Sequence, residues 1–279
     1  MQDIALTWEQ AAFLTGGLAI VAGAVSVTRR PRVRSLAPFA REATIIAGLY
    51  SLWQLAGTLS VLGTQGAFDR ANWLERAERA LHLPSEASVQ AALTGNSIAA
   101  HASNIYYATM HFGGLFVFLI WLFIRHRDRY REVRRVLALT TLICLLIQLI
   151  PVAPPRLLPG YVDTAAQLHE SVYSLGFGAD QLSAMPSVHV AWAVLIGWAT
   201  VTIGRGPWRW LGPAHAVLTV VVVVATANHF WADGIVAVGV LVVCALAERA
   251  AARAISRRRT PDRLEVGAEH EHPALMEAG

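Results

Sequence analysis

Lysine is missing from this chain altogether: all 23 of its basic residues are arginine. Charge of either sign is scarce, with 15% charged residues against 55% hydrophobic over 279 positions and a mean hydropathy of +0.45. A soluble domain carries about 25% charged residues, so that class is excluded and an integral membrane protein is indicated. Cysteine is nearly absent too. Cys144 and Cys244 sit mid-way along apolar segments with no CxxC pattern, which excludes a disulfide framework or thiol chemistry and leaves packing roles. Strand-type alternation is lacking, which excludes an outer-membrane barrel, and no internal repeat is evident. The pI near 9.5 comes from clustered arginines that suit an anionic leaflet, and no nucleic-acid partner is expected.

What the chain has is apolar length. Seven stretches approach the length needed to cross about 30 Å of hydrocarbon as helices: Ala11 to Val27, Ala43 to Gly63, Ile105 to Ile124, Val136 to Val152, Val188 to Ile203, Leu211 to Ala227 and Gly234 to Ala247. The expected fold is therefore all-α, a polytopic transmembrane helical bundle of about seven spans. The arginines orient it: 19 lie in the loops after spans one, three, five and seven, and only Arg70, Arg76, Arg79 and Arg156 lie in the others. By the positive-inside rule the crowded loops, and the C-terminus, are cytoplasmic. Asp3 and Glu9 precede the first span and arginines follow it, the reverse of a secretory signal, so the first span reads as retained with the N-terminus outside.

Three regions follow from this: residues 1–42 as an N-terminal span with its Arg-rich loop, 43–250 as a membrane-embedded domain, and 251–279 as a disordered cytoplasmic tail. Two outer segments exceed simple turns. In Gln65 to Asn104, the run Trp73 to Leu81 has apolar positions near helical spacing, which predicts an interfacial helix, with Arg76 and Arg79 paired to Glu75 and Glu78 at its surface. Arg156 to Met185 is richer in Gly and polar residues. Each either roofs a site or is a solvated loop, and His82, His101 and His169 read as solvated loop residues.

Two strings carry chemistry, Ala184-Met185-Pro186-Ser187-Val188-His189 and Asn228-His229-Phe230-Trp231-Ala232-Asp233. The i, i+4 spacing sets Asp233 on the same helical face as His229. A neutral imidazole is a competent nucleophile, and a carboxylate on its other nitrogen fixes the tautomer and supports the charge that develops on attack. Pro186 suits a first helical turn, leaving the amides of Ser187, Val188 and His189 near a free N-terminus that favours phosphate, with the Ser187 hydroxyl added. His189 then stands beside the bound phosphoryl group. A single membrane-edge histidine is ordinarily an interfacial residue; two with these flanks, plus Asp233 and Arg156 at the same depth and side, mark a site. His111 and Tyr107 are polar within a span, and serve either that site or an interhelical hydrogen bond. Two histidines and a carboxylate also suit zinc, but Arg156 opposes a dication and Pro-Ser-x-His has no part in such a centre.

Pro-Ser-x-His followed by His-x-x-x-Asp, with Pro154-Pro155-Arg156 at the end of the preceding span, resembles the type 2 phosphatidic acid phosphatase superfamily. The closer likeness is to the branch that includes the fungal inositol phosphorylceramide synthase; it covers roughly Tyr106 to Val238, with Tyr106-Tyr107-Ala108-Thr109-Met110-His111 and Arg125-His126-Arg127-Asp128-Arg129-Tyr130 among its elements. The resemblance implies a six-helix phosphatase-like core plus one N-terminal helix. It implies that His229 attacks phosphorus to give a phosphohistidine, Asp233 orients it, His189 protonates the leaving group, and Arg156 with Ser187 holds the phosphoryl oxygens, with no cofactor or metal. Its substrates are membrane phospholipids or isoprenoid phosphates.

The chain departs from the standard pattern in two places. A Lys six residues before an Arg-Pro pair is reduced to Arg156, and a Ser-Arg pair upstream of the nucleophile reads Val222-Val223. A phosphate monoester brings nearly two negative charges and a diester one, so the loss of two cations leans toward a phosphodiester donor with inositol or another polyol, or water, as acceptor. The alternatives are a phosphatidic acid or polyprenyl phosphate phosphatase and, from another class, a non-catalytic lipid-binding membrane protein.

Overall fold

A computed structural model of the chain describes residues 6–60, 65–170 and 181–270, with side chains over the same stretches except 59, 60 and 257–270. Eleven α-helices are found among them: α1 (Trp8–Val27), α2 (Pro31–Arg34), α3 (Ala37–Ser60), α4 (Ala67–Ala80), α5 (Glu86–Thr94), α6 (Ser97–Arg125), α7 (Arg127–Gln148), α8 (Thr164–Gln167), α9 (Val188–Ile203), α10 (Leu211–Ala225) and α11 (Trp231–His270). The protein is all-α, and each of the seven apolar segments holds a helix, although α7 stops at Gln148 and α10 at Ala225, short of the ends at Val152 and Ala227. Positions 61–63 of the second segment lie outside those residues, as do Asp3 and the tail beyond His270.

Four segments are long and apolar enough to cross a membrane, Trp8–Val27, Ser97–Arg125, Pro207–Ala225 and Trp231–Ser256. The expectation of seven spans is met only to that extent. α9 has 16 residues, about 24 Å of helix, and α7 spends its first turns on Arg127, Arg129, Arg131, Arg134 and Arg135. Four helices suffice to make the chain a multi-pass membrane protein.

Helix ends follow local chemistry. Thr7 forms a capping box with Gln10, and the Asn96 side chain accepts from the Ala99 amide, which starts α6 two turns before the apolar run. α11 does not stop at position 250: Ala and Arg, strong helix formers, dominate Glu248 to Arg259, and the helix continues to His270 where a disordered tail was expected.

The core lies between α6, α7, α9 and α11, around Leu122, Val133, Leu195 and Leu241, with Cys144 and Cys244 as buried free thiols. α9 and α10 touch backbone to backbone at Gly212, where a Cβ would stand 1.9 Å from Thr200 Oγ1, so only glycine fits. α1 packs along α3, tied by Ser51 and Gln54, whose side chains donate to the Trp8 and Leu6 carbonyls. α3 leans in turn on α7, where Tyr130 and Arg134 both donate to Glu42.

The segment from Gln65 to Asn104 is structured as two helices, α4 and α5, ahead of the start of α6. α4 buries Ala67, Ala71, Leu74 and Glu78, a 4-3-4 spacing that marks one helical face. A helix is thus found over the Trp73 to Leu81 run, beginning six residues earlier at Ala67 and with Glu78 turned inward; Arg79 pairs with Glu75 as expected. The described part of the second segment is pinned down too. Gln90 exchanges two hydrogen bonds with the Val162 backbone, Thr164 donates to Asn104, and Asn104 and His101 both hold Glu170, so His101 is no free loop residue. Residues 171–180 lie outside the described residues.

Candidate active site

The nucleophile candidate is delivered by the way α10 ends. Ala227 adopts the left-handed conformation at φ +52, its amide donates to the Val224 carbonyl and the Asn228 amide to Val223, which is the Schellman arrangement with alanine in the place glycine usually takes. That costs about 1 kcal/mol of backbone strain. The turn reverses the chain and leaves Asn228 and His229 outside both helices.

His229 and Asp233 meet, but not as neighbours on one helical face. Trp231 is the first residue of α11, so Asp233 is its third, and its carboxylate reaches back over the first turn. Asp233 Oδ2 accepts from the Phe230 amide at 2.9 Å and lies 3.3 Å from His229 Nδ1. A second acceptor, the Ala184 carbonyl, stands 2.8 Å from the same nitrogen. Since a carbonyl and a carboxylate can only accept, the proton sits on Nδ1. Nε2 then carries the lone pair, and it is buried with no hydrogen-bond partner among the described residues.

Ala184 is in position because the chain crosses itself below it. Val152 and Ser183 form an isolated parallel bridge, with the Val152 amide on Leu182 and the Ala184 amide on Val152. Gln148, a polar residue in an otherwise apolar stretch, holds the next turn by donating to the Pro186 carbonyl at 2.9 Å.

α9 begins at Val188, where the apolar segment begins, but Pro186 lies outside its first turn. Ser187 is its N-cap, Pro186 precedes the cap, and the Ser187 hydroxyl accepts from the Val190 amide. The Ser187 amide is also used, on the Asp233 carbonyl at 3.1 Å, so the anion-binding end of this helix is narrower than expected. The link joins the starts of α9 and α11 directly. His189, in the first turn of α9, faces His229 with ring centroids 5.7 Å apart. His111 packs edge-on against His189 at 3.9 Å and Tyr107 at 5.2 Å, so both accessory candidates on α6 join the group.

A cavity of about 320 Å³ opens on His229, His189, His111, Tyr107 and Asn228, and extends along apolar residues of α3, α6, α7 and α9. Arg156, Ser187 and Asp233 stand behind its wall, not on it. Arg156 is 5% exposed; its Nε donates to Asn228 Oδ1 at 3.0 Å, its amide to the Ala227 carbonyl, and its Nη1 lies 3.7 Å from Asp163. Asn228 thus connects the arginine to the cavity, a part the sequence did not assign although it adjoins His229.

The start of α11 is clamped by α4 and the head of α5. Glu78 of α4 accepts from the Ala232 amide at 2.6 Å, Glu86 at the head of α5 accepts from the Trp231 amide at 3.5 Å, and the Trp231 indole donates to the Pro84 carbonyl. With Asp233 on Phe230, three successive amides of this turn are each met by a carboxyl oxygen. Burial and the neighbouring Glu86 push the Glu78 carboxyl up to about 9. None of the described arginines lines the cavity: Arg70 donates to the Pro151 and Gln65 carbonyls, and Arg79 pairs with Glu75.

Fold and site together define a helical membrane protein with a histidine-lined cavity and a carboxylate-oriented imidazole. The family model of the PAP2 superfamily matches residues 72–247, more than half of the chain, and the chain belongs to that superfamily of membrane phosphatase-like proteins. Members are typically metal-independent phosphatases or phosphotransferases, and the family implies phosphorylated lipid-type substrates in general. No curated protein and no solved structure matches the chain.

Proposed function

We propose that the protein transfers a lipid phosphoryl head group through a phosphohistidine on His229. One observation carries this reading: two acceptors hold the proton on His229 Nδ1 and leave the Nε2 lone pair unpartnered next to His189 and the cavity. In the reaction Nε2 attacks phosphorus while the P–O bond to the lipid alkoxide breaks, and His189 supplies the proton that the leaving oxygen takes. Asp233 supports the imidazolium that forms. An acceptor hydroxyl or water then attacks the phosphohistidine, its proton passing to His189, and Nε2 is released. Arg156 holds the phosphoryl oxygens through its positive field from behind Asn228, and Ser187 does so indirectly, by capping α9 and so fixing the helix end beside them; no metal takes part.

A phosphodiester donor and a polyol acceptor such as inositol, the pattern of the inositol phosphorylceramide synthase branch, fit this site better than a monoester. The arginine charge near the cavity is Arg156, and Asp163 lies 3.7 Å from it. Arg70 and Arg79, which would add charge for a dianion, are engaged elsewhere. In this reading the site lies within a seven-span bundle, residues 43–250 form the working domain, and the cavity mouth is on the extracytoplasmic side, a reading supported by the scarcity of arginine in those loops.

The test is direct trapping. Purified protein mixed with phosphatidylinositol labelled with ³²P at phosphorus and quenched in alkali should retain acid-labile, alkali-stable label. His229→Ala should retain none at equal expression. Label that survives in His229→Ala, or turnover abolished by a chelator and restored by zinc, would refute the mechanism.

A further inference from the structure

The cavity has two unlike halves. Around His229 it is polar; away from it the wall is Trp53, Ala56 and Gly57 of α3, Phe112 of α6, Leu145 of α7 and Trp192 of α9. The three large rings form a continuous row, Trp53 to Phe112 at 5.5 Å and Phe112 to Trp192 at 5.6 Å between centroids. The row follows the histidines in the chain: Phe112 adjoins His111, and Trp192 lies three residues past His189, about 4.5 Å further along α9. It also marks a lateral slot. α3 packs on α1 and α7 and meets α6 through ring pairs, Phe39 with Phe123 and Trp53 with Phe112, while Phe112 remains 39% exposed at the gap. The small residues Ala56, Gly57 and Ala108 line the cavity about one turn beyond the Trp53–Phe112 pair.

α3 lies outside the stretch that matches the superfamily, which begins at residue 72. The helix is nonetheless a wall of the same cavity that holds His229. We infer that the slot between α3 and α6 seats the hydrocarbon chain of the donor lipid, and that Trp53 is a specificity-determining residue contributed by the N-terminal helix pair from outside the family core. The inference rests on the reading of His229 as the phosphoryl-transfer centre. A hydrocarbon chain is the occupant because the slot joins the polar end, where a head group is processed, to the apolar flank of a membrane bundle. A cavity of about 320 Å³ holds a head group and the first part of a chain, so the remainder must leave through the slot. Ring faces bury such a chain without requiring a particular register.

The experiment compares Trp53→Ala and Trp53→Phe with the unaltered protein on two diesters in detergent, dioleoyl phosphatidylinositol and bis(4-nitrophenyl) phosphate. Each methylene removed from contact weakens binding about fourfold, so loss of the ring should lower kcat/KM for the dioleoyl lipid by about tenfold or more. The nitrophenyl ester should be turned over within about twofold of the unaltered rate, and Trp53→Phe should preserve both activities. Equal loss on the two substrates, or no loss on either, overturns the inference. A second measurement does not depend on turnover: His229→Ala protein is irradiated with phosphatidylinositol bearing a diazirine in its acyl chain. Adducts at residues 53–57 and 112, competed by dioleoyl phosphatidylinositol, support the slot, and their absence overturns it. If the unaltered protein turns over neither diester, the functional reading fails and the labelling alone decides the chain-binding site.

Discussion

Glu78 offers the sharpest check on how the site is held. Its side chain is 4% exposed, its Oε1 accepts from the Ala232 amide at 2.6 Å, and the carboxyl of Glu86, which is 3% exposed, stands beside it. Glu86 and Asp233 face it, and Glu75 with its partner Arg79 flanks it on α4. Burial first and Glu86 second lift the carboxyl from 4.5 to about 9, so at neutral pH the folded protein carries an uncharged acid there. Between those values the folded chain binds a proton the unfolded chain has released. Stability therefore falls as pH rises through that window, and the contribution is fully present only below the unfolded value. Glu78→Gln mimics the protonated acid: its carbonyl accepts from Ala232, its amide donates to Glu86, and nothing titrates. Glu78→Ala leaves the Ala232 amide and Glu86 without their partner, which costs about 1–3 kcal/mol. Thermal unfolding in one mild detergent from pH 5 to pH 9 separates the three proteins, since other titrating groups act alike in all. The midpoint of the unaltered protein should fall with pH more steeply than that of Glu78→Gln. Glu78→Ala should unfold lower at pH 5 by an amount of order 5 °C. A Glu78→Gln slope equal to that of the unaltered protein, or a midpoint as low as that of Glu78→Ala at pH 5, would show that the clamp does not work through a shared proton.

Three further outcomes are expected. His189→Ala should slow turnover by about 10² to 10⁴, and least for donors with good leaving groups, read as rates on alkyl against nitrophenyl diesters; equal losses on both would remove its role as general acid. In a variant with Cys144 and Cys244 replaced, a cysteine at Asp163 should react with an impermeant maleimide in intact cells and one at Asp128 should not; the reverse pattern would invert the orientation. Phosphatidylinositol should be preferred to phosphatidic acid in the same detergent, and a hundredfold kcat/KM advantage for the monoester would reject the diester reading.

Much of this architecture is legible from short-range pattern. Apolar runs locate seven helices, four of them in segments long and apolar enough to cross a membrane, because composition alone decides what hydrocarbon accepts. Their ends depend on caps and propensity: Asn96 extends α6 outward, and the Arg-rich start of α7 is helical because Tyr130, Val133 and Leu137 keep one face buried. His229 and Asp233 are legible for a similar reason, since four residues of chain join them. The spacing nonetheless suggests the wrong geometry, because His229 lies before the helix and Asp233 reaches back as a cap. The signal for Glu78 is present as well, in the register Ala67, Ala71, Leu74 and Glu78, but a charged residue in that register reads as surface until a partner element is known.

The parts that sequence cannot supply are those made by segments far apart in the chain. The Ala184 carbonyl fixes the tautomer of His229 only because Val152 and Ser183 pair beneath it, and a backbone carbonyl leaves no trace in residue identity. Arg156 illustrates the opposite failure. Its identity marks it for the site, and the fold brings it within reach of Asn228, yet that contact places one layer of protein between its Nε and the cavity. An arginine one layer back, close to Asp163, stabilises a single negative charge with less desolvation of its own than one thrust into the cavity, and it gives less to a second charge. Removing Asp163 tests that balance within the same fold. Asp163→Asn should raise activity toward phosphatidic acid relative to phosphatidylinositol, measured as the ratio of the two kcat/KM values, and a ratio that does not move would mean that Arg156 does not set the charge the site accepts.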